Sequence, residues 1–431
     1  MIYDIRDYGA VGDGTHNDTS AIQAAVDKCS SNGGGQVLLA GNRTYRSGTV
    51  ILRSNVEFYI EKGTVLKASD SISDFDMTGN ADTEHDQVNI PTYENCEYDG
   101  RPGLFFLYAI NADDITITGE GVIDGNEEIF YGKVTPYHID GSFYPRVPLI
   151  FLENVINLTV TDITLKRSAF WTLHMVGCRF VTIRNITILN NRLLANCDGI
   201  DPDHCKNVVI RDCHIESADD CIVFKNTSYG ESYGPCENIT VENCDLSSTS
   251  AAIKFGTESE DTFRNISIKN CRIKDSNRGI SLQLRDIGSI EDVHFENISI
   301  ETHLVSKEHW WGDGEPIALT AVERRPGSGI GHIRNITFQD IKCNSENGIL
   351  IYGDSSENIR DISFTDVNLH IIEGCGEVRT DKDLRPCDSS PFAKADPSAI
   401  YIRNAINVDI SGCNINIDDK KRAVTQDILK M

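Results

Sequence analysis

The sequence has no apolar run of the length a membrane span needs, and its opening Met1-Ile2-Tyr3-Asp4-Ile5-Arg6-Asp7 lacks the basic-then-apolar layout of a secretory leader. A cytoplasmic location is the expectation. No C-x2-C pair occurs among the 14 cysteines, so a zinc site is not expected, and no motif calls for any other metal or cofactor. Basic residues are scarce, 40 against 65 acidic ones, and the formal charge of −25 argues against nucleic acid and anionic membranes as partners. It also argues mildly against a polyanionic substrate, unless a basic cleft overrides the average. Helical periodicity is nearly absent, and there are only three tryptophans.

What remains is ordinary globular material, 431 residues with 40% hydrophobic and 24% charged, and a repeat fold can run this long as one domain. Residues 1–70 read as an opening module. Its glycine-rich Asp7-Tyr8-Gly9-Ala10-Val11-Gly12-Asp13-Gly14 has neither the preceding buried strand nor the Lys of a nucleotide loop. Asp18 or Thr19 can cap the one amphipathic helix, in which Ile22, Ala25, Val26 and Cys29 share a face. At the start of a solenoid such a helix would cover the exposed end of the core. Strands are expected at 36–40, 48–52 and 56–60.

From about residue 110 the chain repeats itself. Eleven-residue segments begin at Val155, Cys178, Cys205, Cys236, Phe263, Ile290, Ile333, Ile359 and Ala405, stepping by 23, 27, 31, 27, 27, 43, 26 and 46. Each holds two short alternating strands broken by a polar pair such as Arg211-Asp212, where the chain bends. Several cysteines fall at matching inward places and fit packing as small hydrophobes. A repeat of this size with β-branched strands and no helix indicates an all-β parallel β-helix over residues 71–431, since a single coil cannot bury its own apolar face. Leucine-rich repeats are the competing architecture and lack their Leu spacing. The two long steps mark insertions, one carrying His303 and His309-Trp310-Trp311, the other spanning 374–397. The many Asn-x-Thr/Ser triplets read as turn and ladder residues.

Two acidic clusters stand out, Asn196-Cys197-Asp198-Gly199-Ile200-Asp201-Pro202-Asp203 and Ser217-Ala218-Asp219-Asp220-Cys221-Ile222. On neighbouring rungs of a solenoid, about 4.8 Å apart, they would form one patch. Crowded carboxylates oppose folding, which suggests a use, and glycoside hydrolysis needs one protonated and one ionised carboxyl. The competing explanation is that Asp and Asn are turn residues. If the patch forms, at least one carboxyl should hold its proton above the usual ~3.9 because its neighbour opposes ionisation, and that one should be the acid. Lys225 and Lys254 lie on the acidic coil or after it, where, if they face the same side as Asp198, they can hold the hydroxyls or a carboxylate of an oligosaccharide substrate. Arg278 and Arg285, taken singly, read as solvated surface charge. Trp310 and Trp311 are candidates to stack on sugar, with one of the pair equally able to anchor its own loop. Trp171 reads as scaffold and His174 as a hydrogen-bonded structural histidine.

These residues resemble the polygalacturonase-like glycoside hydrolases of family 28, which are right-handed parallel β-helices. Asn196-Cys197-Asp198-Gly199-Ile200-Asp201 is similar to the family's Asn-Thr-Asp-Gly-x-Asp, and Ala218-Asp219-Asp220-Cys221-Ile222 to its Gly/Gln-Asp-Asp-Cys-Ile. The resemblance implies an inverting hydrolase of pectin-related or other plant-type oligosaccharides, with Asp219 as general acid and Asp198 and Asp220 activating water. It also implies substrate contacts from Asn196 and Asp201. There are two departures. The family's Gly-His-Gly would fall near Ser250–Gly256, where no histidine stands, and its Arg-Ile-Lys would fall at Ser281-Leu282-Gln283. The hydrolytic core is kept and the acidic-sugar clamp is not, which leaves a neutral or differently substituted sugar open. A non-catalytic carbohydrate-binding β-helix and a β-helical polysaccharide lyase are the alternatives. Long insertions favour short substrates and end-on cleavage.

Overall fold

A computed structural model describes residues 1–75, 104–141, 146–375, 380–388 and 391–431. They form two compact units, Met1–Glu216 and Ser217–Met431, each a stack of parallel coils. Among the described residues no helix is long and apolar enough to cross a membrane.

In the first unit the helix α1 (Thr19–Ser31) buries Ile22, Ala25, Val26 and Cys29 against the strands Ile2–Asp4, Gly35–Leu39 and Val50–Ile51. The expected cap differs in one respect. Asp18 occupies the cap position but turns its carboxylate away, accepting the N–H groups of Val11 (2.7 Å) and Gly12 (3.1 Å), while Asn17 takes the Thr19 N–H at 3.1 Å. The glycine-rich segment runs from a 3-10 turn (Ile5–Tyr8) to the strand Asp13–Asn17, and its middle is wrapped round a buried aspartate. Gly12 has φ +65 and lies against the Tyr45 ring, so a side chain there meets both strain and a clash.

One sheet of this unit runs Val50–Ile51, Leu107–Ile110, Ile150–Glu153, Leu173–Val176, Ile200–Asp203. A second runs Gly35–Leu39, Val56–Ile60, Asp113–Thr118, Ile156–Thr161, Arg179–Arg184, Lys206–Arg211. The strands of the opening 70 residues thus continue directly into the coils. The register Val181↔Val208 reproduces the 27-residue step between repeats.

The second unit repeats the scheme. Its first sheet runs Ile222–Asn226, Ala251–Ser259, Arg278–Leu284, Ile317–Ala321, Ile349–Gly353, Ser398–Arg403, Gln426–Lys430. In the other sheet Ser289–Thr302, His332–Ser345 and Ile359–Ile371 are each one long strand where two short ones were expected. Val293 pairs with Ile336 and Ile362 with Val408, so the steps of 43 and 46 are looped out and the ladder resumes in phase. Inside, Phe295, Phe338 and Phe364 stack with ring centroids 4.9 and 4.8 Å apart.

The repeating Asn and Asp residues have a backbone cause. The third residue of every copy has a left-handed φ between 53° and 61°, and the eighth of all but the last between 51° and 59°. Asn and Asp tolerate that region, and their side chains bond along the column. Asn265 Nδ2 donates to Asn238 Oδ1 at 2.6 Å, Asn185 to Asp162 at 2.7 Å and Asn297 to Asn270 at 2.7 Å. The repeat cysteines are buried as expected except Cys413 in the last copy, which is half-buried, and Cys178 and Cys205 donate S–H to the carbonyls of Leu152 and Met175. One copy breaks the Asn/Asp rule with Phe180, at φ 58° and 58% exposed. A left-handed residue other than Gly, Asn or Asp costs about 1–2 kcal/mol. Phe180→Asn should therefore raise stability by about 1 kcal/mol in urea unfolding, and Asn265→Phe should lower it by at least as much.

Candidate active site

The turn before the strand Ile200–Asp203 carries Asn196 and Asp198, and three anchors fix it from below. Asn196 has φ 60°, a conformation its residue type tolerates, and its Oδ1 accepts from the Arg146 guanidinium at 2.7 Å. The same guanidinium donates to the carbonyls of Ala195 and Ala169 and lies 4.8 Å from the Phe170 ring centroid. Asn190 donates to Cys197 O (2.9 Å) and Thr172 Oγ1 (2.7 Å), and Thr172 N–H donates to Asp198 O (2.9 Å). Asp198 is 2% exposed and Asp201 is fully buried. Asn196 is thus held as a turn-former, its Oδ1 engaged by Arg146.

On the strand itself Asp203 was not singled out by sequence. It accepts from buried His174, whose Nε2 is 3.1 Å from its Oδ2. Trp171 and Phe151 stand edge-on to the imidazole, with centroids 4.7 and 5.0 Å away. His174 and Trp171 are scaffold, as their sequence setting indicates. Arg146 and Asn190 lie outside the repeat copies and had no periodic signal.

In the second unit Asp219 and Asp220 directly precede the strand Ile222–Asn226. Asp219 is partly exposed, and its Oδ1 accepts the Asp220 N–H at 3.1 Å. Asp220 is 1% exposed and receives three donors, Lys254 Nζ at 2.7 Å, Ser250 Oγ at 3.1 Å and Ala251 N at 3.1 Å. Burial pushes its carboxyl above the ordinary 3.8, Lys254 opposes this, and the charge of Asp219 adds to it. Desolvation is thus the first cause of the rise, where the sequence pointed to repulsion by a neighbouring carboxylate. Lys254 is held charged, because the carboxylates of Asp220 and Asp219 outweigh its burial. Lys225 pairs with Glu258 at 3.2 Å, and both are buried in adjoining strands. Sequence overlooked Glu258, although Lys254 and Glu258 are the only charges in the strand Ala251–Ser259.

Beyond these strands the insertions close over the sheet. The hairpin Asp381–Asp383 with Phe392–Lys394 belongs to a strap whose Leu384, Cys387 and Ala393 cover Ala318, Leu350 and Tyr401. Arg278 and Arg285 hold it, and both correct the expectation of solvated charge, since they are 2% and 0% exposed. Arg278 binds the Glu315 carboxylate at 3.1 Å and the carbonyl of Asp383 at 2.8 Å. Arg285 donates to the carbonyls of Leu384 (2.8 Å) and Pro386 (2.9 Å) and to Thr320 Oγ1 (3.0 Å), and burial among neutral oxygens draws its pKa down to about 10. Trp310 is 4% exposed and takes the anchoring role, its carbonyl accepting from Arg385, while Trp311 stays partly exposed.

Comparison with known proteins agrees with this architecture. A family model described as glycosyl hydrolases family 28 matches residues 62–380. A probable polygalacturonase of Vitis vinifera is 29% identical over 308 residues, covering 69% of this chain and 60% of the relative. An endo-polygalacturonase of Pectobacterium parmentieri is 23% identical over 363 residues, covering 81% and 84%. Among solved structures, a hyperthermoactive exopolygalacturonase of Thermotoga maritima superposes with TM-score 0.70 at 21% identity, covering 86% of this chain and 87% of that one. A polygalacturonase of Erwinia carotovora ssp. carotovora gives 0.60 at 20% identity, covering 94% and 95%. With stacked parallel coils in each unit and a family match across most of its length, the chain belongs to glycosyl hydrolases family 28 and has the parallel β-helix fold.

Proposed function

We propose that this protein hydrolyses glycosidic bonds of pectin-related oligosaccharides with inversion at the anomeric carbon. Asp219 protonates the leaving oxygen, and Asp198 and Asp220 activate the attacking water. The observation that carries the reading is the contrast between two adjacent aspartates. Asp220 is enclosed by an ammonium, a hydroxyl and an amide N–H, a setting that suits an ionised base. Asp219 keeps partial exposure, as a group must that hands a proton to a bound sugar. A lyase would need a basic group available to remove the proton α to a uronate carboxylate, and Lys225 and Lys254 are both committed to carboxylates, which favours hydrolysis.

Asp219→Asn and Asp198→Asn should each lower kcat on a pectic oligosaccharide by about 10²–10⁴-fold. New reducing ends counted by chromatography check the loss, and the anomer first released, followed by NMR, checks inversion. Retention of configuration would reject the water-activating roles.

The pH profile follows from the same pair. Asp220 works ionised, and its pKa is raised, so the acidic limb of kcat/KM should lie above 3.8. Removing the opposing ammonium in Lys254→Met should move that limb further up. The same substitution leaves a buried carboxylate uncompensated and should cost about 3–5 kcal/mol in denaturant unfolding at neutral pH. Because the folded pKa of Lys254 lies above its ordinary 10.5, the stability it contributes is complete below that value and is lost only as the pH rises through the folded pKa.

A further inference from the structure

We propose that the sugar held against the strands following Asp220 carries no free carboxylate, being a neutral sugar or a methyl-esterified uronate. The inference rests on the hydrolase reading above and concerns the charge of that site alone.

Recognition of a uronate needs a cation whose charge is not already spent. On the strand Ile222–Asn226 the cation is Lys225, 3.2 Å from Glu258, and on Ala251–Ser259 it is Lys254, 2.7 Å from Asp220. Each ammonium has its carboxylate in contact. With Asp219 protonated as the acid, this corner holds two carboxylates against two ammonium groups already paired with them, so a sugar carboxylate would add a negative charge that nothing there balances. In the next strand Ser281 lies in register with Lys254, and Gln283 follows it, both buried and both neutral.

Three arginines further along are also engaged or enclosed. Arg278 is in register with Ala251, but its guanidinium is bound to Glu315. Arg285 is 0% exposed, out of reach of a bound sugar, and its guanidinium donates to oxygens of Leu284, Thr320 and the strap. Arg324 is bound by both oxygens of Asp286 at 2.8 Å. A methyl ester or hydroxymethyl group needs only hydrogen bonds and apolar contact, and costs none of these pairs. The overall charge of −25 works in the same direction by repelling a polyanion at long range.

The test compares a matched pair, an oligogalacturonide of defined length and its fully methyl-esterified counterpart, with the full chain. Initial rates of new reducing ends give kcat/KM, and calorimetry with Asp219→Asn gives binding. The esterified form should be preferred at least about 10-fold in both, as like-charge juxtaposition in a binding site requires. Glu258→Gln, which takes the carboxylate from Lys225, should move the ratio toward the free acid. A wild-type preference for the free acid in rate and binding would overturn this inference and leave the hydrolase reading standing. Loss of the hydrolase reading would show differently, as the absence of Asp219-dependent reducing ends from both forms.

Discussion

Each of the two units is governed by the parallel stacking of its coils. A coil's backbone donors and acceptors are satisfied only by the coils on either side, so each residue is locked to a position in a column, as Val181 is to Val208 or Val293 to Ile336. Columns must turn at the same places, and the turn requires a left-handed residue. That single demand explains the Asn and Asp at third and eighth positions and their bonding to one another along the stack. It also explains why long additions leave the stack as loops, since an insertion kept within a coil would break two ladders at once.

Such a scaffold is stiff, and it can carry charge that a softer fold would expel. Buried ions are tolerated where partners are fixed in advance. Asp220 with Lys254, Lys225 with Glu258, Arg278 with Glu315 and Arg324 with Asp286 are each set by strand register or by a strap pinned to the sheet. In the proposed chemistry this has a direct use. Asp220 is kept from relaxing, and Asp219 beside it in the bend between Ser217 and Ile222 keeps partial exposure, so two identical side chains acquire different work.

The same pairing limits what the site can recognise. A family member's acidic clusters are compatible with several sugars, and the selection falls to the cations around them. Here the guanidinium groups that a linear reading places on the surface serve as bolts for the strap, their donors turned onto Glu315, Thr320 and the carbonyls of 383–386. Asp383, despite its burial, is held well below the usual carboxylate range by Arg385 and Arg278, which shows how completely that cluster is neutralised.

The sequence by itself determined the coil. Nine aligned copies, the polar bends and the phase of the insertions all follow from local periodicity and turn chemistry, which act over a few residues and are written in order. The same holds for the acidic motifs and for the structural standing of His174 and Trp171. The strand of each coil that carries Asp201, Lys225 and Lys254 falls outside the repeat copies, because its faces are both buried and no alternation marks it. Tertiary structure alone decided which cation meets which carboxylate. Lys254 and Asp220 are 34 positions apart, Arg278 and Asp383 more than a hundred, and pairing at such distances depends on register and on where a strap lands. Burial decided the rest: it raised Asp220 above the usual carboxyl, and it turned two exposed-looking arginines into the fastening of the fold.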